Sequence, residues 1–179
     1  MGLDMYLHKH TYVKNWEHHS DEQRVNITVM QNGKEHPTIK TNRISTIIEE
    51  VAYWRKANQI HNWFVQNVQD GEDDCGEHYV GLDQLKELVE TCKKVLASLE
   101  NSPKKTIQVE TGWHSDEQTD VEVAENTELA EELLPTQSGF FFGSTQYDEY
   151  YINDLKDTIQ QLEPLLTEEG GSFYYLSSW

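Results

Sequence analysis

Long apolar runs are missing from this 179-residue chain. No window comes near the roughly 18 apolar residues of a membrane-spanning helix, and the first residues lack the apolar core of a secretory signal. The expectation is a soluble protein kept in the cytoplasm. Basic residues are scarce, 14 Lys and Arg against 32 Asp and Glu, which gives a formal net charge of −18. A field of that sign repels nucleic acid and anionic membranes, so neither is expected as a partner. Only two cysteines are present. Cys92 falls inside an apolar helical stripe and Cys75 in an acidic loop, which argues for free thiols rather than a disulfide framework. Carboxylates around Cys75 would raise its pKa and oppose a nucleophilic role. Phosphate-loop, serine-hydrolase, zinc-protease and paired CxxC motifs are all lacking, so no cofactor is expected and no catalytic set is assigned.

Aromatic residues, by contrast, reach 11%, which argues against disorder and for a compact core rich in Trp and Tyr. Leu3, Met5 and Leu7 alternate with polar residues as a half-buried strand. Val25 to Gln31 alternates likewise, and Asn32-Gly33 predicts a hairpin returning through Lys34 to Lys40, an edge strand because of Pro37. Ile44 to Val51 suits helix or strand. Its apolar face does not continue the one formed by Ala57, Ile60, Phe64, Val65 and Val68, so the spacing predicts a break near Val51 to Tyr53 and a helix from about Val51 to Val68.

Leu82 to Leu99 is the clearest amphipathic helix, ended by Asn101-Ser102-Pro103. A hairpin over 104–124, a short acidic helix over Thr127 to Leu134 and a long helix from Tyr147 to Leu166 follow. Gly170-Gly171 then leads to a terminal strand, Phe173 to Trp179. Three main helices and five or six strands without strict βαβ alternation predict a single α+β domain over 1–179, its helices packed on a mixed or antiparallel sheet. The hairpin reads as a decoration.

Within the central helix, His61 lies near the middle of the apolar face with Asn58 at its edge. Such groups either point into a ligand pocket, with Trp54 sharing that side, or satisfy buried backbone groups. Trp63 falls on the polar side, as an interface or under a second layer. Gly143-Ser144-Thr145 precedes the last helix, where its N–H groups suit a phosphate. Thr145 and Asp148 also read as a capping box, with Asp148 turned toward the apolar side. Asp70 to His78 departs from a calcium loop, since Cys75 and Gly81 replace its required Gly and Glu. His8 and His10 share a strand face, with His18-His19 nearby, a set that suits a transition metal, but no third ligand stands at a metal-site spacing, so no metal is assigned.

The segments Met1-Gly2-Leu3-Asp4-Met5-Tyr6-Leu7, Tyr53-Trp54-Arg55-Lys56-Ala57-Asn58 with Ile60-His61 and Trp63-Phe64, and Asp73-Asp74-Cys75 form a set with three later ones. These are Leu134-Pro135-Thr136-Gln137, Gly139-Phe140-Phe141-Phe142-Gly143-Ser144-Thr145 with Tyr147-Asp148, and Phe173-Tyr174-Tyr175 through Ser178-Trp179. Together they resemble a family of small proteins encoded by tailed phages, prophages and bacteria. The resemblance implies a phage-linked cytoplasmic protein and carries over no activity.

Three functions compete. The first is a non-enzymatic accessory protein binding a small polar ligand, a nucleotide-derived signal among the candidates, to counter host defence. Trp54, Phe140 and Tyr147 would stack on a ring, Arg55, Lys56, Asn58, His61, Ser144 and Thr145 would supply donors, and Gly139 and Asp148 complete the candidate set. The second is an acidic inhibitor that imitates nucleic acid toward a basic host protein, using Asp70 to Glu77 and Asp116 to Glu132. The third is a nucleotide-directed enzyme with His61 as acid or base beside Asp148. Oligomeric state is not legible.

Overall fold

Alternation produces the strand around which the fold is built. β1 (Asp4–Tyr12) turns Met5, Leu7 and Lys9 inward and leaves Tyr6, His8 and His10 on the opposite face. The computed structural model describes residues 2–110, 118–139 and 141–179. A two-residue turn at Asn32-Gly33 joins β2 (Met30–Gln31) to β3 (Lys34–Glu35). Then come β4 (Thr46–Arg55), α1 (Asn58–Val68), β5 (His78–Val80) and α2 (Leu82–Glu100). The hairpin β6 (Lys104–Glu110) and β7 (Gln118–Ala124) precedes the short α3 (Glu128–Leu133). α4 (Glu149–Leu162) runs into a 3-10 turn over Glu163–Thr167, and β8 (Ser172–Ser178) closes the sheet.

The main sheet is antiparallel, in the order β4-β1-β8-β5. Its inner face, with Leu3, Met5, Leu7, Ala52, Trp54, Val80, Phe173 and Tyr175, shares one apolar core with the helices. α2 contributes Leu85, Leu88, Val89, Cys92, Val95 and Leu99, and α4 contributes Tyr151, Leu155 and Leu162. Fully burying one such aliphatic side chain stabilises by roughly 1.5–3 kcal/mol. The architecture is α+β, as expected. No helix among the described residues is long and apolar enough to cross a membrane.

Three expected elements differ. β4 runs as a strand to Arg55, and the helix begins at Asn58, not at Val51. The change of apolar face comes from a bulge: Leu7 pairs with Ala52 and His8 with Glu50, leaving Val51 without a partner. Even-numbered residues of β4 therefore switch face, so that Ala52 and Trp54 point inward while Ile48 points outward. The turn from strand to helix is made at Lys56, whose φ of 62° is left-handed. The alternating stretch Val25 to Gln31 forms only the two residues of β2, and Lys34 to Lys40 only those of β3. None of those residues is buried, so alternation there has no core to face.

Candidate functional site

The site is built where α1 leaves β4. Asn58 is almost fully buried and spends its amide on one loop. Its Nδ2 donates to the carbonyls of Phe142 (3.1 Å) and Ser144 (2.8 Å), and its Oδ1 accepts from the Gln137 N–H (2.8 Å). Three hydrogen bonds thus clamp Gln137, Phe142 and Ser144 to the start of α1. Two glycines make the approach feasible. A Cβ on Gly143 would lie 3.1 Å from the Lys56 carbonyl oxygen, and its φ is 94°. A Cβ on Gly139 would lie 2.6 Å from the Phe142 ring.

His61 belongs to the same cluster but has no solvent exposure. Burial drives the Tyr175 phenol well above its usual pKa, so it stays protonated and donates to His61 Nδ1 at 2.7 Å. Nε2–H then donates to Asp73 at 2.9 Å. Desolvation lowers the His61 pKa, outweighing the Asp73 carboxylate that raises it. Asp73 also accepts from the Trp179 indole N–H (2.8 Å), and the Phe142 ring meets His61 edge-on at 5.4 Å. Asp74 accepts from the Gly76 N–H (2.7 Å) and lies 2.8 Å from His78 Nε2. Part of the acidic loop is therefore internal scaffolding.

Beside this cluster opens a cavity of about 310 Å³. Arg55, Lys56 and Gln59 line one side; Gly143, Ser144, Gln146 and Asp148 the second; Tyr150, Tyr151 and Asp154 the third. Asp148 caps α4, accepting from the N–H groups of Tyr150 (2.9 Å) and Tyr151 (3.1 Å), and from the Ser144 hydroxyl (3.2 Å). The cap is therefore Asp148 itself, not Thr145. Asp154 is half-buried and accepts from Gln59 Nε2 at 2.9 Å. Burial, assisted by Asp157 and Asp148, pushes its pKa up to about 6 against the pull of Gln59. Arg55 lies exposed at the rim, its Nε 3.9 Å from Asp4.

No protein-family model, curated protein or solved structure matches this chain. Of the expected residues, Arg55, Lys56, Ser144 and Asp148 line the cavity. Asn58 and His61 stand behind it as supports. Trp54 points into the core, its indole N–H donating to Thr158 Oγ1 at 2.9 Å. Its helical spacing to Asn58 fails because Trp54 sits on β4.

Thr145 and Tyr147 line a separate concavity beside the β6–β7 hairpin. Phe140 lies outside the described residues. Trp63 is buried against Phe64, ring to ring at 5.4 Å, which makes it a packing residue. Sequence reasoning missed Gln59 and Asp154, which meet across 95 positions. One signal was available, since Asp154 is three residues after Tyr151 and four before Thr158, on the buried flank of α4.

Proposed function

We propose that this protein binds a small polar ligand in the Arg55–Asp154 cavity and does not turn it over. The observation that carries the reading is the pairing of two basic side chains at the rim with a half-buried carboxyl inside, whose pKa burial raises to about 6. Arg55 and Lys56 suit an anionic group such as phosphate or carboxylate, locally offsetting the −18 field. Asp154 and Gln59 suit an N–H or O–H donor, as on a base edge or an amine. The volume lies at the small end of the roughly 300–1,000 Å³ range of ligand sites, which favours a molecule of nucleotide or amino-acid size. Its resemblance to phage-encoded proteins supports an accessory role in infection, in which sequestering such a molecule counters host defence. Full burial of His61 gives an acid-base role no route to substrate.

The test is a thermal-shift and calorimetry panel of mononucleotides, cyclic nucleotides and amino acids. It is joined to mass spectrometry of molecules released from protein purified from phage-infected cells. A ligand is expected whose affinity falls about tenfold or more in Arg55→Ala/Lys56→Ala, the loss of charge-assisted hydrogen bonds worth about 1.5–3 kcal/mol. A protein that releases nothing and ignores the whole panel refutes the reading.

A further inference from the structure

On the other face of the sheet, away from the core, three ligating side chains converge. His8 and His10 are two residues apart on β1 and so share a face, and both are about four-fifths buried. Glu77, just before β5, reaches across the intervening β8. Its Oε1 lies 3.5 Å from His8 Nδ1 and 3.3 Å from His10 Nε2, and all three donor atoms fall within 4.8 Å of one another. We propose that His8, His10 and Glu77 bind a divalent transition-metal ion of the zinc class.

Four observations carry this. First, metal bonds of about 2.0–2.1 Å at tetrahedral angles separate ligand atoms by about 3.3–3.4 Å, close to the two carboxylate–imidazole distances. Second, His10 Nε2 is shielded from solvent and has no hydrogen-bond partner, since its approach to Glu77 is misaligned for one. A lone pair facing a carboxylate is repulsive, and a cation between the two removes that repulsion. Third, the set is held in place: the His10 ring lies 4.3 Å from the Tyr174 ring, and the His8 ring lies 6.2 Å from Tyr6. Fourth, two imidazoles with one carboxylate form a donor set suited to zinc, nickel, cobalt or copper, and poorly to calcium or magnesium. Three protein ligands leave a coordination position for water or for an outside group. This inference is independent of the cavity, which lies on the helix side of the sheet.

The test titrates chelator-treated protein with zinc chloride against a chromophoric chelator, and with cobalt chloride followed by visible absorption. One equivalent should bind, with the intense visible bands of low-coordinate cobalt. His10→Ala should weaken zinc by about a hundredfold or more, because losing a group that merely orients a metal ligand already costs about 10–100-fold. Circular dichroism of the metal-free variant checks its fold. Glu77→Gln, at a more exposed position, should weaken binding at least about tenfold and guards against a folding defect in His10→Ala. His18→Ala/His19→Ala and His78→Ala should bind like the parent. Stoichiometric binding that survives loss of both His8 and His10, or no binding by the parent protein, overturns the proposal.

Discussion

Replacing Asp154 by Asn should stabilise the protein at neutral pH while weakening ligand binding. Asn keeps the size and an oxygen acceptor for Gln59 but carries no charge to bury. The native carboxyl titrates at about 6 against a reference of 3.8. At about 1.4 kcal/mol per pKa unit, the ionised form is disfavoured by at most roughly 3 kcal/mol. Solvent at this half-buried position screens that to about 1–2 kcal/mol. The folded pKa is raised, so the native state holds the proton between about pH 4 and 6 while the unfolded chain releases it. Parent stability from this group is therefore greatest below about pH 4, declines through about pH 6 and is flat above about 7. Urea unfolding of both proteins from about pH 4 to about pH 8 isolates the effect, since all other titrations cancel in the difference. The difference should be near zero at the acid end and plateau by about pH 7, worth a Tm gain of about 2–8 °C. An Asp154→Asn variant that is no more stable than the parent at about pH 8, or a difference that does not vary with pH, refutes the argument.

Asn58→Ala should cost about 2–4 kcal/mol in chemical denaturation, because three hydrogen bonds are lost and buried backbone groups at Gln137, Phe142 and Ser144 are orphaned. A loss under about 1 kcal/mol would count against the clamp. His61 contributes with the opposite sign to Asp154: its folded pKa is depressed, so stability is full above about 6.5 and falls as pH drops through the folded value. The parent should accordingly lose more stability than His61→Gln on acidification from about pH 7, and equal losses would contradict the neutral buried ring. Burial pushes the Cys92 thiol up to about 12, whereas Cys75 is exposed. Iodoacetamide followed by mass spectrometry should find one modified cysteine in native protein and two in denatured protein; native labelling of Cys92 would refute its burial.

The amphipathic helices were legible because each has one buried face, so Leu82 to Leu99 appears almost unchanged as α2. β4 was not, because its bulge at Val51 mixes two registers in one strand and its corner at Lys56 lacks the Gly or Pro that usually marks one. Val25 to Gln31 misled for the converse reason, having the pattern without the burial. At the site, the charged rim was visible as neighbouring Arg55 and Lys56, and the loop as a Gly-bounded aromatic word. What sequence could not give was a partner set by tertiary packing. Asp154 meets Gln59 across two helices, and Glu77 meets His8 and His10 across a sheet, at no spacing a motif can encode.

β4 lies at the edge of the sheet, and its first half, Thr46 to Glu50, is exposed, with Ile47 and Ile48 both bare. An open edge carrying two β-branched residues is a template for pairing with a second chain. Glu49 and Glu50 follow at once on the same edge. Antiparallel approach of two copies would set these carboxylates against one another within a molecule already at −18. Glu49 and Glu50 thereby oppose edge-to-edge pairing of two copies, an opposition that salt or low pH should weaken.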